Sequence, residues 1–256
     1  MSILLKQNYH MHTTRCGHAT GEDRAYVEAA IAAGYETVGF SDHTPFPAGY
    51  PRNEYVRMAH DQLEGYVSSV LSLQKEYQND IRLLLGLEVE YYPNWFEAWQ
   101  KFTSPYPFDY FLLGQHYVGA DDNSYYSGRP TNDPTVLKKY VDRCIAGMKT
   151  GMFLYLAHPD LLDYQRPNSP EYASEMRRLC EAAKELHVPM EINLLGIREN
   201  RPYPKQQFWK IAGEVGGDVV FGVDAHSPDA LSHPASVAFA EDMVRRYGLH
   251  HVQNLL

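Results

Sequence analysis

Residues 8–12 read Asn8-Tyr9-His10-Met11-His12 and close the first apolar run of the chain. Side chains two apart on a strand share a face, so His10 and His12 can aim two imidazoles at one metal ion. An isolated H-x-H is as readily a chance pair. Its weight comes from recurrence, because most later apolar runs also stop at a residue able to bind a metal.

Outward from that stretch, Ile3 to Tyr9 reads as a short strand, and the loop after His12 carries Arg15, Cys16, Gly17 and His18. Glu22 to Ala33 has good helix formers, with Gly34 placed to stop it. Thr37 to Phe40 reads as a second strand, ending in Ser41-Asp42-His43. The segment Thr44 to Met58 holds three prolines and is too irregular for a simple connector, so it is read as a lid. Leu63, Tyr66, Val67, Val70, Leu73 and Tyr77 then fall on one helical face within Asp61 to Tyr77. Ile81 to Leu87 follows as a strand ending in Glu88-Val89-Glu90. A short helix at Trp95 to Phe102 leads to a fourth strand, Asp109 to His116, and a polar loop, Tyr117 to Asp133.

Asp133 and Pro134 resemble an N-cap and first helical residue, as do Ser169 and Pro170 later. Between those helices a fifth strand, Met152 to Ala157, closes on His158-Pro159-Asp160. The sixth, Pro189 to Leu194, carries Glu191 and Asn193 two apart. A loop with Gly196, Arg198, Glu199, Arg201 and Tyr203 precedes a helix at Gln206 to Val215. Val219 to Val223 is the seventh strand, ending in Asp224-Ala225-His226, and a helix through Val237 and Tyr247 finishes the chain.

Seven apolar strands alternating with amphipathic helices indicate an α/β fold with a parallel sheet covered on its outside. Their number favours closure into a barrel over an open doubly wound sheet. In either architecture the C-terminal strand ends share one rim, where functional residues collect. Sequence-distant residues therefore converge.

The 256 residues, 44% hydrophobic and 21% charged, suit one domain spanning residues 1–256. No stretch approaches the roughly eighteen apolar residues of a membrane span, and no signal-peptide pattern opens the chain. A cytoplasmic protein without a membrane partner is expected. Cys16, Cys144 and Cys180 are far apart and never in a C-x-x-C pair, which argues for reduced thiols. A formal charge of −9 disfavours a nucleic-acid partner. A small anionic substrate fits if metal ions supply local positive charge.

The candidate donors are His10, His12, His18, His43, His116, His158 and His226, with the carboxylates Glu88 and Asp224. Imidazoles with a few carboxylates suit Zn, Mn or Fe, at about three or four protein ligands per ion. This set exceeds the needs of one ion and suits two or three, with a carboxylate bridging a pair. Three divalent ions bring more positive charge than Glu88 and Asp224 return, which favours a phosphate dianion over a neutral amide. Metals about 3.5–4 Å apart generate hydroxide at neutral pH and stabilise a phosphoryl group under in-line attack. Phosphoester hydrolysis by metal-bound hydroxide is the expected chemistry.

The motifs His10-Met11-His12 with His18, Ser41-Asp42-His43, Gly86-Leu87-Glu88, Gln115-His116, Ala157-His158-Pro159 and Asp224-Ala225-His226 resemble the PHP (polymerase and histidinol phosphatase) family of metallophosphoesterases. The resemblance covers essentially the whole chain. It implies a distorted (β/α)7 TIM-like barrel with three divalent ions at the C-terminal strand ends. Carried across, it gives one ion to His10, His12, Glu88 and Asp224, a second to Glu88, His116 and His158, and a third to His18, His43 and His226.

Glu191-Ile192-Asn193, Gly196, Arg198 and Tyr203-Pro204 resemble the histidinol-phosphatase branch. That implies hydrolysis of L-histidinol phosphate to L-histidinol and phosphate in histidine biosynthesis, without indicating an oligomeric state. Arg198 is the candidate phosphate clamp, Asn193 a substrate contact, and Asp224 and His226 the candidate donors of a proton to the leaving alkoxide. Asp42 is read as orienting His43 or another ligand. Glu90 reads as a strand-edge carboxylate, Arg52, Arg57 and Arg201 as surface charges, and His60, His187, His233, His250 and His251 as solvated.

A nuclease or a protein phosphotyrosine phosphatase on the same scaffold is the alternative, and the acidic balance counts against the nuclease. An amidohydrolase would want a bridging lysine after the fourth strand, where this chain has none. The intact donor set counts against a binding module without turnover.

Overall fold

Short parallel strands carry the fold in the computed structural model, which describes residues 5–50, 56–118 and 125–256. β1 (Gln7–Asn8), β2 (Thr37–Phe40), β3 (Arg82–Val89) and β4 (Tyr110–Leu113) form one sheet in that order. β5 (Met190–Asn193), β6 (Asp218–Gly222) and β7 (His250–His251) form another. Every pairing between these described strands is parallel. Leu156 links the two sheets, bridging Leu113 on one side and Met190 on the other. At the opposite edge Met11 bridges Ala225, and the His12 amide donates to the Ala225 carbonyl at 2.9 Å. The result is an α/β fold around a curled parallel sheet.

Pleating divides the sheet residues into two sets. On β3, Leu84, Gly86 and Glu88 share one face and Leu83, Leu85 and Leu87 the other. Leu84 belongs to a small apolar cluster with Tyr9, Tyr110, Leu112, Tyr155, Ala157 and Val220. The Tyr110 hydroxyl there donates to the Tyr9 carbonyl at 2.7 Å. Leu83, Leu85 and Leu87 join the larger core beneath the helices. These are α1 (Asp23–Ala33), α2 (Leu63–Glu76), α3 (Phe96–Thr103), α4 (Pro134–Met148), α5 (Pro170–Glu185), the short α6 (Leu194–Arg198), α7 (Gln206–Val215) and α8 (Pro234–Tyr247).

Helix ends follow the sequence signals. Gly34 takes φ 82 at the end of α1, a left-handed conformation that costs glycine little. The side chains of Asp133 and Ser169 accept amide protons from Thr135 and Tyr172, each with proline opening the helix.

Three expectations need correction. Residues 152–157 form no ladder, although Leu154 and Ala157 donate to the Phe111 and Leu113 carbonyls, each at 2.8 Å, and Leu156 to Pro189 at 2.9 Å. The segment alternates between two neighbours and pairs fully with neither. The chain also closes on β7, where the His251 ring stacks on Phe221 at 3.9 Å, so His251 is half-buried rather than solvated. β1 is shorter than Ile3 to Tyr9, of which Ile3 and Leu4 lie outside the described residues.

Of the expected lid and polar loop, residues 51–55, including Arg52, and 119–124 likewise lie outside the described residues. Phe46, Tyr50, Arg57 and Met58 within the lid segment are buried. The three cysteines are buried and unpaired, and no described helix is long and apolar enough to cross a membrane.

Candidate metal centre

The strand ends deliver the donors to one place. His10 and His12 follow β1, His43 follows β2 and bridges Glu88 near the end of β3, and His116 follows β4. His158 follows the linking segment, Asp224 and His226 follow β6, and His18 comes from the turn after Thr14–Cys16. His158 and Asp224 adopt φ 28 and φ 50. Such left-handed conformations cost about 1–3 kcal/mol for residues with a Cβ, and they gather where side chains must be aimed.

The donor atoms crowd. His10 Nε2 stands 3.4 Å from Glu88 Oε2 and 3.6 Å from Asp224 Oδ1. His12 Nε2 is 3.1 Å from Asp224 Oδ1 and 3.6 Å from Glu88 Oε2. Glu88 Oε1 meets His158 Nε2 at 2.8 Å and His116 Nε2 at 3.4 Å, while His43 Nδ1 reaches Glu88 Oε2 at 2.9 Å. His18 and His226 face each other Nε2 to Nε2 at 3.0 Å. Two donors bound at zinc distances in a tetrahedron stand about 3.3 Å apart. The cage therefore has the spacing of ligands around cations.

Proton bookkeeping points the same way. A carbonyl oxygen only accepts, so the Nδ1 atoms of His18 and His226, 3.1 and 3.3 Å from the Cys16 and Asp224 carbonyls, carry the hydrogen. In the neutral rings both Nε2 lone pairs then meet head-on, which is repulsive unless a cation lies against them. His10 Nε2, His12 Nε2, Glu88 Oε2 and Asp224 Oδ1 are buried with no hydrogen-bond partner, a cost of about 1–3 kcal/mol each if left so. Divalent ions would satisfy all of them, so the residues fit the implied group. Burial pushes the Cys16 thiol beside His18 and His226 up to about 12.

A second ring of groups fixes the imidazoles. His10 Nδ1 lies 2.7 Å from Glu191 Oε1, and Glu191 Oε2 also accepts the His158 amide at 2.9 Å. Asp42 accepts from the Thr13 hydroxyl and the His43 amide, and its Oδ1 stands 3.5 Å from His12 Nδ1. Asp42 thus faces the His12 ring rather than that of His43. Glu90 Oε1 lies 3.4 Å from His116 Nδ1. Such contacts fix ring orientation and leave the other nitrogen for a metal.

Fields within the cage are strong. Burial opposes charge on His10, yet Glu191, Asp224 and Glu88 raise its pKa well above the usual histidine value. Burial likewise opposes charge on His12, but the adjacent Asp224 and Asp42 carboxylates lift it to about 9. Burial and neighbouring His12 drive His43 well below its usual value. Against burial, the surrounding histidines hold the Glu88 and Asp224 carboxyls well below the ordinary range.

A cavity of about 400 Å³ opens beside the donors, with Val56, Tyr126, Leu195, Arg201 and Tyr203 in its wall. Arg198 does not line it. Its guanidinium reaches back to the Val223 and Asp224 carbonyls at 3.4 and 3.5 Å, supporting the Asp224 turn. The sequence reading is corrected on this point, since Arg201 reaches the cavity, held by Glu199 at 2.7 Å and by the Tyr203 hydroxyl at 3.3 Å. Asn193 is also turned away from the expected substrate contact. Its amide donates to Glu191 at 2.9 Å and Asp224 at 3.0 Å, while its oxygen accepts the Gly196 amide.

Of the two expected proton donors, His226 turns Nδ1 to the Asp224 carbonyl at 3.3 Å, and Asp224 turns Oδ1 to His10 and His12 at 3.6 and 3.1 Å. Arg57, read as a surface charge, is buried on Glu90. Glu191 was the residue that sequence reasoning left without a role; a carboxylate inside an apolar strand is the signal that marks it.

Residues 8–194 match the sequence model of the PHP domain. The chain is 28% identical over 233 residues to a Deinococcus radiodurans protein named "Probable histidinol-phosphatase", covering 86% of this chain and 85% of that one. It is 30% identical over 124 residues to the histidinol-phosphatase of Bacillus subtilis, 46% of each chain. Among solved structures it resembles a histidinol phosphate phosphatase from Lactococcus lactis complexed with Zn, L-histidinol and phosphate. That match has a TM-score of 0.74 and 19% identity over 96% of this chain and 95% of that one, a likeness of fold. On the sequence match, which spans most of its length, the chain belongs to the PHP domain family.

Proposed function

We propose that this protein is a metal-dependent phosphomonoesterase hydrolysing L-histidinol phosphate to L-histidinol and phosphate. The observation that carries the metal dependence is the head-on approach of His18 Nε2 and His226 Nε2 at 3.0 Å inside a cage of partnerless buried donors. Relatives named histidinol-phosphatase support the choice of substrate.

Three divalent ions fit the donor set. His10, His12, Glu88 and Asp224 would hold one, Glu88, His116 and His158 a second, and His18, His43 and His226 the third. Zn has support from the Lactococcus lactis neighbour; Mn and Fe suit the same donors. Bound ions would supply Lewis acidity at the phosphoryl oxygens and acidify a water for in-line attack.

The protein's own groups do the positioning. Glu191 and Asp42 hold His10 and His12 with Nε2 inward. Arg201 presents a planar fork from the cavity wall and takes the phosphate-clamp role first assigned to Arg198. Leu195, Tyr126 and Tyr203 give the organic part of the ester an apolar and aromatic wall. In this reading the curled sheet is a distorted barrel of seven βα units, with residues 1–256 as one domain in the cytoplasm and without nucleic-acid or membrane partners.

The test is phosphate release from L-histidinol phosphate, a phosphotyrosine peptide and single-stranded DNA, each with Zn, Mn and Fe. Fastest turnover of histidinol phosphate is expected. Preference for either of the others would overturn the substrate assignment, and metal-independent turnover would overturn the mechanism.

A further inference from the structure

We propose that Glu90 is a positioning residue that sets the His116 imidazole and, through Arg57, ties a wall of the cavity to the donor cage. The inference deepens the phosphatase reading and rests on it.

Glu90 and Arg57 are 3% and 1% exposed. The guanidinium grips the carboxylate with two bonds, 2.6 Å to Oε2 and 2.9 Å to Oε1. The same Oε1 stands 3.4 Å from His116 Nδ1, whose Nε2 faces Glu88 Oε1 at 3.4 Å. One oxygen therefore serves both the arginine and the histidine. Taking an ion pair out of water costs more than apolar packing at the same place, so its presence beside a donor imidazole suggests a task beyond filling space. The pair is neutral overall and orients His116 without changing the charge of the cage.

Arg57 also holds the wall. Its guanidinium lies 5.4 Å from the Phe46 ring and 5.5 Å from that of Tyr50, and those rings stack at 4.3 Å. Val56 next to it lines the cavity, and the Met58 amide donates to the His43 carbonyl at 3.4 Å. The 56–58 segment is thus fastened to two residues of the cage, at His43 by its backbone and at His116 through Glu90.

The experiment compares wild type, Glu90→Gln, Arg57→Met and the double variant, each checked for folding by circular dichroism and thermal melting. Mn2+ affinity is measured by chelator competition, and kcat and KM for L-histidinol phosphate at saturating Mn2+. Glu90→Gln should weaken Mn2+ binding about 10–100-fold, the range for lost partners of metal-bound histidines. Glu90 itself lines the cavity, but glutamine keeps its size and Val56 stays in place, so KM should change less than about twofold. Arg57→Met should lose similar Mn2+ affinity and raise KM several-fold.

In the double variant the Mn2+ loss should not exceed the larger single loss, since both act through one oxygen. Wild-type Mn2+ affinity in folded Glu90→Gln, additive losses in the double variant, or an unchanged KM in Arg57→Met would overturn the proposal. Failure of the phosphatase reading looks different: wild-type protein would bind Mn2+ without turning over histidinol phosphate, and the affinity comparison would still decide the role of Glu90.

Discussion

Replacing Gly114 by alanine should separate metal binding from folding. Gly114 follows β4, its amide donating to the Val89 carbonyl at 3.0 Å. A Cβ built there lies 1.9 Å from Glu88 Oε1 and 2.6 Å from its Cδ, whereas real Cβ contacts essentially never fall below 3.0 Å. The carboxylate or the strand must therefore move by about 1.1 Å, several times the ±0.2 Å tolerance of metal–ligand distances. The displaced oxygen is the one that meets His158 Nε2 at 2.8 Å and His116 Nε2 at 3.4 Å.

The effect on stability should be smaller. Overpacking costs about 1–3 kcal/mol, and the stiffer unfolded chain returns about 0.4–1 kcal/mol at a position without left-handed φ. The site pays far more, because a misplacement of about 1 Å can remove two orders of magnitude of rate. Elemental analysis should show at least one ion missing, and kcat should fall at least about 100-fold while the melting transition remains cooperative. A folded Gly114→Ala protein with full metal content and wild-type kcat would refute the placement of Glu88 at the heart of the cage.

Glu88→Ala should lose more metal than His18→Ala, because two proposed ions share Glu88; equal contents by elemental analysis would contradict the bridge. Arg201→Ala should raise KM for the phosphomonoester about 10–100-fold by removing a charged hydrogen-bonding fork worth about 1.5–3 kcal/mol. Arg198→Ala should instead act on stability, lowering it by about 1 kcal/mol through the lost carbonyl contacts, as a thermal melt would read.

His12 should carry a proton in the metal-free protein at pH 7.5, since its pKa is raised to about 9. Metal binding must displace that proton along with the one on His10, so calorimetry in buffers of different ionisation enthalpy should record release at pH 7.5, with the His12 share fading above about pH 9. The sign for folding follows: the raised value stabilises the metal-free protein fully below the reference value of 6.5, and that contribution is lost as pH climbs through about 9. No proton release at pH 7.5 would show His12 to be neutral before metal binds.

His18 apart, the donors were legible because each is a polar residue where an apolar run stops, and parallel topology brings such ends together. His10, Glu88, His158 and Asp224 needed no more than that. The supporting ring was less legible because its members differ from ordinary strand or loop residues only in what they touch. Glu191 sits inside a strand, Arg57 lies in a loop-like segment, and nothing local tells that one meets His10 and the other Glu90. Arg198 closes α6 and Arg201 follows three residues on, and only three-dimensional placement shows which fork reaches the cavity.

The segment at 152–157 has strand composition, but its bonds are split between β4 and β5. β7 is two residues long and owes its pairing to β6 rather than to its own sequence, as the register Asp218 to His250 and Val219 to His251 makes plain.

The Met11–Ala225 bridge and the donors beside it bear on where the chain can be cut. The PHP match runs over residues 8–194, yet Asp224 and His226 lie thirty residues or so further on and stand 3.1 Å from His12 Nε2 and 3.0 Å from His18 Nε2. A recombinant fragment trimmed to the matched span would strip both partners from those imidazoles and open the seam between the segments that follow β1 and β6. Shortening from the carboxyl side should thus abolish metal loading well before it reaches the segment by which the family is recognised.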